Sequence, residues 1–248
     1  MHHAEFNDPR LVAAYDAECL WSRDDDFFVA VANETPGSRV LDLGCGTGRL
    51  ALGLSTHGHS VTGVDPASAS LDAARAKPGA ARVTWIEGTS AVLEADEFDV
   101  AVMTSHVAQF FLTDDEWART LADVRRALVP GGRLVFDTRD PDARAWERWS
   151  TDRRRSVTLP DGRVVQEWTE VTGVEHDTVS FAIHYEFPDH GELVSTATLR
   201  FRSADELRES LRAASFTVEQ IYGGWNREPI GHGDGEFLVI ARADPRKT

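Results

Sequence analysis

Cysteine is scarce: Cys19 and Cys45 are the only two in 248 residues, and they form no metal-ligand spacing. That predicts a reduced, cytoplasmic protein. The nine histidines are scattered along the chain, which leads us to expect no metal site. No apolar stretch reaches the ~20 residues a membrane helix needs, and the opening Met1-His2-His3-Ala4-Glu5 is not a signal peptide. Positive charge is also short, with 26 Lys and Arg against 41 Asp and Glu and a net charge of -15. Phosphate contacts need clustered Lys and Arg, so a general nucleic-acid surface is excluded. The one basic run, Arg153-Arg154-Arg155 near Arg148, reads as a solvated loop. Repeats and low-complexity tracts are absent too. With 42% hydrophobic and 27% charged residues, the chain has the composition of a folded globular protein, long enough for one α/β domain with an insertion.

The most informative stretch is 40–48, Val-Leu-Asp-Leu-Gly-Cys-Gly-Thr-Gly. An apolar strand breaks into three glycines at alternate positions, and a helical pattern follows from Arg49. Such a turn lets backbone approach a ligand closely, which makes Gly44, Cys45, Gly46 and Gly48 candidate ligand contacts. Asp42 selects the ligand. A carboxylate just ahead of the loop repels a dinucleotide pyrophosphate and attracts a group that carries an ammonium and a sulfonium.

Strands alternate with helices through the next hundred residues. We expect strands at 39–43, 60–64, 82–87, 98–103 and 133–137, with helices to about 56, at 68–76 and at 114–128. This pattern predicts a doubly wound, Rossmann-like, mainly parallel sheet. Before it, 6–32 reads as one or two amphipathic helices interrupted by the acidic run Asp24-Asp25-Asp26. From 156 to 202 the period becomes two. Val179, Phe181, Ile183, Tyr185 and Phe187 share one face, and Pro160-Asp161-Gly162 and Pro188-Asp189-His190-Gly191 mark turns. That is an antiparallel meander inserted into the α/β domain, expected as a lid over the ligand pocket or as a homodimer face. Ser203 with Glu206 is a capping-box pattern that opens a helix. Two last strands, 217–222 and 236–241, complete seven, the final one antiparallel. The whole chain is read as a single domain: a helical cover at 1–36, a ligand-binding core at 37–150, the insertion at 151–202, and a closing helix and strand pair at 203–248.

The acid-x-Gly-x-Gly-x-Gly segment resembles the first motif of the class I S-adenosylmethionine (SAM)-dependent methyltransferases. Val129-Pro130-Gly131-Gly132-Arg133-Leu134 resembles the Leu-x-Pro-Gly-Gly that this family places before its fifth strand. The resemblance runs from about 35 to 242 and points to the small-molecule branch that carries an antiparallel element over its active site. It implies that the glycine loop wraps the methionine part of SAM, with Asp42 ordering the amino group. Asp65-Pro66 ends the second strand, where an acid accepts hydrogen bonds from ribose hydroxyls. Thr89 and Ser90 stand where the family usually has an acid or hydroxyl for the adenine amino group; the alternative is a plain strand-end turn. Thr104 and His106 follow the fourth strand, facing the transferred methyl. His106 is either a general base for the acceptor or a packing residue. Tyr15, with Trp21 and Phe28, is expected to cover the pocket or to pack in the core. Trp146, Trp149 and Trp168, with Tyr185 and Phe187, either pack the meander or line an acceptor site.

The expected activity is methyl transfer from SAM to a small-molecule N, O or C nucleophile, by a monomer or homodimer. Two rivals remain at this point. An NAD-dependent oxidoreductase would use the same acid after the second strand, but Asp42 and the glycine spacing oppose it. A SAM-binding module without catalysis is compatible with every motif above.

Overall fold

Four consecutive residues of β1 (Arg39–Leu43), Val40 to Leu43, are buried, as a strand covered on both faces must be. The computed structural model describes residues 3–149, 153–189 and 191–245; Met1, His2 and the turn residue His190 lie outside them. Around β1 stand β2 (Ser60–Asp65), β3 (Val83–Glu87), β4 (Phe98–Met103), β5 (Leu128–Arg139), β10 (Phe216–Tyr222) and β11 (Glu236–Ala243), in the order β10-β11-β5-β4-β1-β2-β3. Only β11 runs against its neighbours, so the expected seven-stranded sheet with an antiparallel last strand is what forms. The strand order reverses between β4 and β1, which opens a crevice at their carboxyl ends.

Helices cover both faces. On one, Phe27 and Phe28 of α3 (Arg23–Ala32) and Leu50 and Leu54 of α4 (Arg49–Thr56) pack on Val40, Val61, Val100 and Val135. On the other, Trp117, Leu121 and Val124 of α6 (Asp114–Ala127) and Leu207 and Leu211 of α7 (Ala204–Ala213) pack on Leu41, Leu134 and Phe136. The fifth sheet-flanking helix, α5 (Ser68–Ala76), lies beside β2 and β3. Two expectations need correction. The acidic run interrupts nothing: it is the first turn of α3, where Ser22 and Asp25 form a capping box and carboxylates meet the positive end of the helix. Likewise β5 begins at Leu128, because Pro130-Gly131-Gly132 is absorbed as a bulge, pairing with β4 jumping from Phe98↔Leu128 to Val100↔Arg133.

The insertion is a four-stranded antiparallel sheet of β6 (Arg155–Thr158), β7 (Val164–Glu175), β8 (Thr178–Phe187) and β9 (Gly191–Arg200). Its apolar face is covered by this chain's own segments. Tyr185 and Phe187 pack with Leu11 and Ala14 of α2 (Pro9–Glu18) and with Ala4 of α1 (Ala4–Asn7). Phe181 meets Trp149 at 5.1 Å between ring centroids, and Phe201 meets Trp146 at 4.7 Å. Trp168 stacks instead on His184, with Arg154 over its ring at 3.9 Å. The basic run is thus partly engaged, since Arg155 also pairs with Glu18 and Glu167.

Helix α7 depends on its cap. Ser203 Oγ accepts from the Glu206 N–H, and the Glu206 carboxylate accepts from Ser203 N–H at 2.7 Å. Ser203→Ala should lower stability by about 1 kcal/mol, read as a lower urea midpoint at constant slope. An unchanged midpoint would mean that the apolar face of α7 alone holds it.

Candidate functional site

Beyond Leu43 the chain leaves the sheet in a loop hung on the end of β2, with the N–H groups of Gly44 and Cys45 both donating to Val64 O (2.8 and 3.2 Å). Gly44 has φ +79°, and a Cβ there would fall 2.5 Å from Val107 Cγ2; Gly48, also at +79°, would meet Trp85 at 2.4 Å. Neither position tolerates a side chain. Asp65 fixes the loop from below. Its Oδ2 accepts from Gly46 N–H and its Oδ1 from Ala67 N–H, each at 2.8 Å.

Above these turns lies a cavity of about 340 Å³ at the switch point of the sheet. Its wall takes Asp42, Gly44, Cys45, Gly46 and Thr47 from the loop after β1, Asp65 and Pro66 after β2, and Thr89 and Ser90 after β3. Thr104, Ser105 and Val107 come after β4, and Tyr15 comes from α2. The structure therefore gathers every expected cofactor contact except Gly48, which stands behind the wall as the N-cap of α4. Ser90 contributes a committed hydroxyl, donating to Asp123 Oδ2 at 2.8 Å, so Thr89 is the freer of the two. Trp21 lies over Gly53 and Phe28 is buried in the core. None of the tryptophans named above lines the cavity.

Asp42 is 1% exposed, and its Oδ1 has no hydrogen-bond partner among the described residues. Desolvation, with Asp65 nearby, pushes its carboxyl up to about 7. Burial also raises Asp65, against the two N–H groups that it accepts from. The floor of the cavity is thus electron-rich, with no Lys or Arg among the described residues in ion-pair contact with Asp42 or Asp65 and Arg49 acting on Asp42 only from a distance, while Gly44 and Gly48 leave no room for side chains. That combination fits a ligand bearing positive charge.

Sequence reasoning named the helical cover and Tyr15 but missed the other residues of the roof. His3, Phe6 and Asn7 of the first turns and Cys19 at the end of α2 complete the wall, with Phe110 and Phe111 opposite. Phe6 meets Tyr15 edge-on at 5.3 Å and Phe110 at 5.8 Å, and His3 meets Phe110 at 5.1 Å. Charged contacts fasten this cover to the glycine loop. Lys77 Nζ bridges Asp16 Oδ1 (2.5 Å) and Thr47 O (2.8 Å). Arg49 reaches Leu20 O (2.7 Å), Asp24 (3.1 Å) and Asp25 (2.9 Å). The signal was present in Phe6 and Tyr15, two aromatics on either side of the short helix break at Asp8.

His106 is turned elsewhere. Its backbone follows Ser105 with both residues at positive φ, +54° and +64°. Its ring does not join the cavity wall, because Nε2 lies 3.0 Å from Glu236 Oε2 and 3.4 Å from Asp137 Oδ2. Burial, with Arg139 nearby, lowers its pKa to about 4. The expectation that His106 faces the transferred methyl is not what the ring does here.

The methyltransferase domain family matches residues 40–132. A cypemycin N-terminal methyltransferase from a Streptomyces species is 30% identical, the alignment covering 94% of this chain and 96% of that protein. This chain belongs to the class I SAM-dependent methyltransferases. The CcbJ methyltransferase from Streptomyces caelestis shares its fold at 23% identity, with a TM-score of 0.72 over 93% of this chain and 96% of the other. So does SAM-bound CalS10, an amino pentose methyltransferase from Micromonospora echinaspora, at 22% identity and a TM-score of 0.65, covering 93% and 95%. With that family the oxidoreductase and non-catalytic readings fall away: SAM is the cofactor of this methyltransferase and methyl transfer its reaction.

The raised carboxyl of Asp42 makes the free enzyme pH-sensitive. A carboxyl whose folded pKa lies above its unfolded value binds an extra proton in the folded state, so stability falls as pH rises from about 4. The loss is complete above about 7. Asp42→Asn keeps the shape without the charge. Without SAM it should melt above wild type at pH 8, with the gap closing towards pH 4; a gap independent of pH would show that Asp42 is not charged in the free enzyme.

Proposed function

We propose that this methyltransferase methylates an amine on a small molecule or a short peptide end. The observation that carries the reading is the cavity's two-sided character: carboxylates of Asp42 and Asp65 below, and aromatic rings of Phe6, Tyr15 and Phe110 above. N-methylation keeps or increases positive charge on the acceptor, and aromatic faces attract such a cation. The relatives' names point the same way, one an N-terminal methyltransferase and one an amino pentose methyltransferase.

When bound, SAM supplies an electrophilic methyl on sulfonium, which the acceptor lone pair takes in line with release of S-adenosylhomocysteine. In this reading Asp42 holds the ammonium of SAM, and Gly44, Cys45, Gly46 and Gly48 shape the backbone cradle. Asp65, beside Pro66, accepts from the ribose hydroxyls while continuing to hold Gly46 and Ala67. Thr89, Ser90 and Tyr15 enclose the adenine end and Thr104 the methyl side. With His106 off the wall, the chain's part at the acceptor is positioning and exclusion of water, and an amine that arrives unprotonated needs no protein base. The helical cover at 1–36 closes the site and the insertion at 151–202 supports that cover. No helix among the described residues is long and apolar enough to cross a membrane. We place the enzyme in the cytoplasm, where Cys19 and Cys45, both free, stay reduced, and read it as a monomer or homodimer that does not bind nucleic acid.

Methyl-labelled SAM, offered with amino sugars, short peptides with free N-termini and hydroxyl-only analogues of each, tests this directly. Label should enter the amines alone; label in the hydroxyl analogues, or in none while SAM binds, would overturn the amine reading. Asp65→Ala should weaken SAM binding by about 1.5–3 kcal/mol and also lower the melting temperature of the free enzyme, since two loop N–H groups lose their acceptor. A SAM affinity within twofold of wild type would show that the ribose is held by other groups.

A further inference from the structure

Three segments far apart in sequence bring one imidazole and two carboxylates together outside the SAM cavity. His106 follows β4, Asp137 lies near the carboxyl end of β5, and Glu236 opens β11 beside it, the antiparallel register pairing Leu238 with Asp137. One ligand atom from each lies within 4.8 Å of the other two. The His106 N–H donates to Asp137 Oδ2 at 3.0 Å, which fixes the loop against the strand. Asp137 is 1% exposed, and its second oxygen, Oδ1, has no hydrogen-bond partner among the described residues. Among those residues no Lys or Arg is in ion-pair contact with Asp137 or Glu236. The nearest candidate, Arg139, lies over the Trp149 ring at 5.1 Å and donates to Gln109 Oε1 at 2.9 Å. Two largely buried carboxylates therefore face one imidazole, with the single Arg139 guanidinium acting on both only from beyond ion-pair distance, and one such charge does not balance two carboxylates, which leaves the cluster suited to a cation.

We propose that His106, Asp137 and Glu236 bind a divalent transition-metal ion. The two separations from the imidazole suit one. Ligands at about 2.1 Å from a shared ion lie about 3.0 Å apart at an octahedral edge and about 3.4 Å apart at a tetrahedral one. His106 Nε2 stands 3.0 Å from Glu236 Oε2 and 3.4 Å from Asp137 Oδ2. The donor set narrows the class. An imidazole favours zinc, iron or nickel over calcium and magnesium, while two carboxylates favour manganese, so Mn(II), Fe(II) and Zn(II) are the ions that fit. Such an ion would pin the loop after β4 to β5 and β11. Ser105 and Val107, on either side of His106, belong to the cavity wall, so the ion would stiffen the side from which the acceptor approaches. The inference does not rest on the identity of the acceptor.

The test uses the untagged full chain after treatment with a chelator, titrated calorimetrically with MnCl₂ and separately with ZnCl₂. One equivalent of at least one of these ions should bind with a micromolar or tighter Kd and raise the melting temperature. H106A and Glu236→Gln should each weaken that binding at least tenfold, while Glu236→Gln keeps its SAM affinity within twofold and so shows that the fold is intact. Absence of saturable binding of either ion up to 1 mM, or binding that both variants leave unchanged, would overturn the proposal.

Discussion

A buried carboxylate without a cation, Asp42, is the constraint on which the rest of the site depends. A charge in that position is costly unless something positive arrives, and the proton it tends to hold below about pH 7 is a substitute for that partner. The protein could relieve the strain with a lysine. It does not, and Arg49, which opens the next helix, is spent on Asp24, Asp25 and Leu20 of the cover. The site is thus assembled around an electrostatic deficit that a sulfonium and an ammonium can fill. Binding and stability are linked through the same residue.

The glycine loop, Asp65 and the strands were legible in the sequence because local chemistry decided them. A run of apolar residues buried on both faces, three glycines at positive φ and an acid that caps the next turn leave few alternatives. Gly48 shows the limit of that reading: the sequence marks it as special, but its reason is the ring of Trp85 behind the loop, not the cavity in front. The helical cover and Tyr15 were legible, but the rest of the roof was not, for a different reason. His3, Phe6 and Asn7 precede the first strand by some thirty residues, and only the tertiary path of α1 and α2 across the insertion brings them to the cavity. His106 was read from its place after β4, which is right for the backbone. Which way a ring turns there is decided by Asp137 and Glu236, residues that no local pattern connects to it.

The insertion acts at one remove. Its apolar face, clear in the alternation of Val179, Phe181, Tyr185 and Phe187, packs on α1, α2 and the turns at 107–110 and 145–148, and of these α1, α2 and the turn at 107–110 touch the cavity. Glu5 reinforces the arrangement from α1: its N–H donates to Ser195 Oγ at 3.2 Å and its carboxylate accepts from the same hydroxyl. A four-stranded sheet is a stiff platform, so the aromatics of the cover are set by a rigid body and not by their own short helices, one of which has only four residues.

The cover is attached in two unlike ways, and the difference bears on turnover. Its underside is apolar and buried against the meander. Its edge toward the glycine loop is ionic: Lys77 with Asp16 is partly exposed, and such pairs contribute no more than about 1 kcal/mol each, while Arg49 with the buried Asp25 is the stronger hold. A seam of this kind can part on the cavity side while the apolar side stays packed. S-adenosylhomocysteine has to leave an enclosed site after each transfer, and lid opening often limits such enzymes. The edge that this geometry leaves free to part is therefore the one between α2 and the glycine loop, next to Thr47, where weakly held charges and the cofactor cradle meet, with the apolar contact to the meander as its hinge.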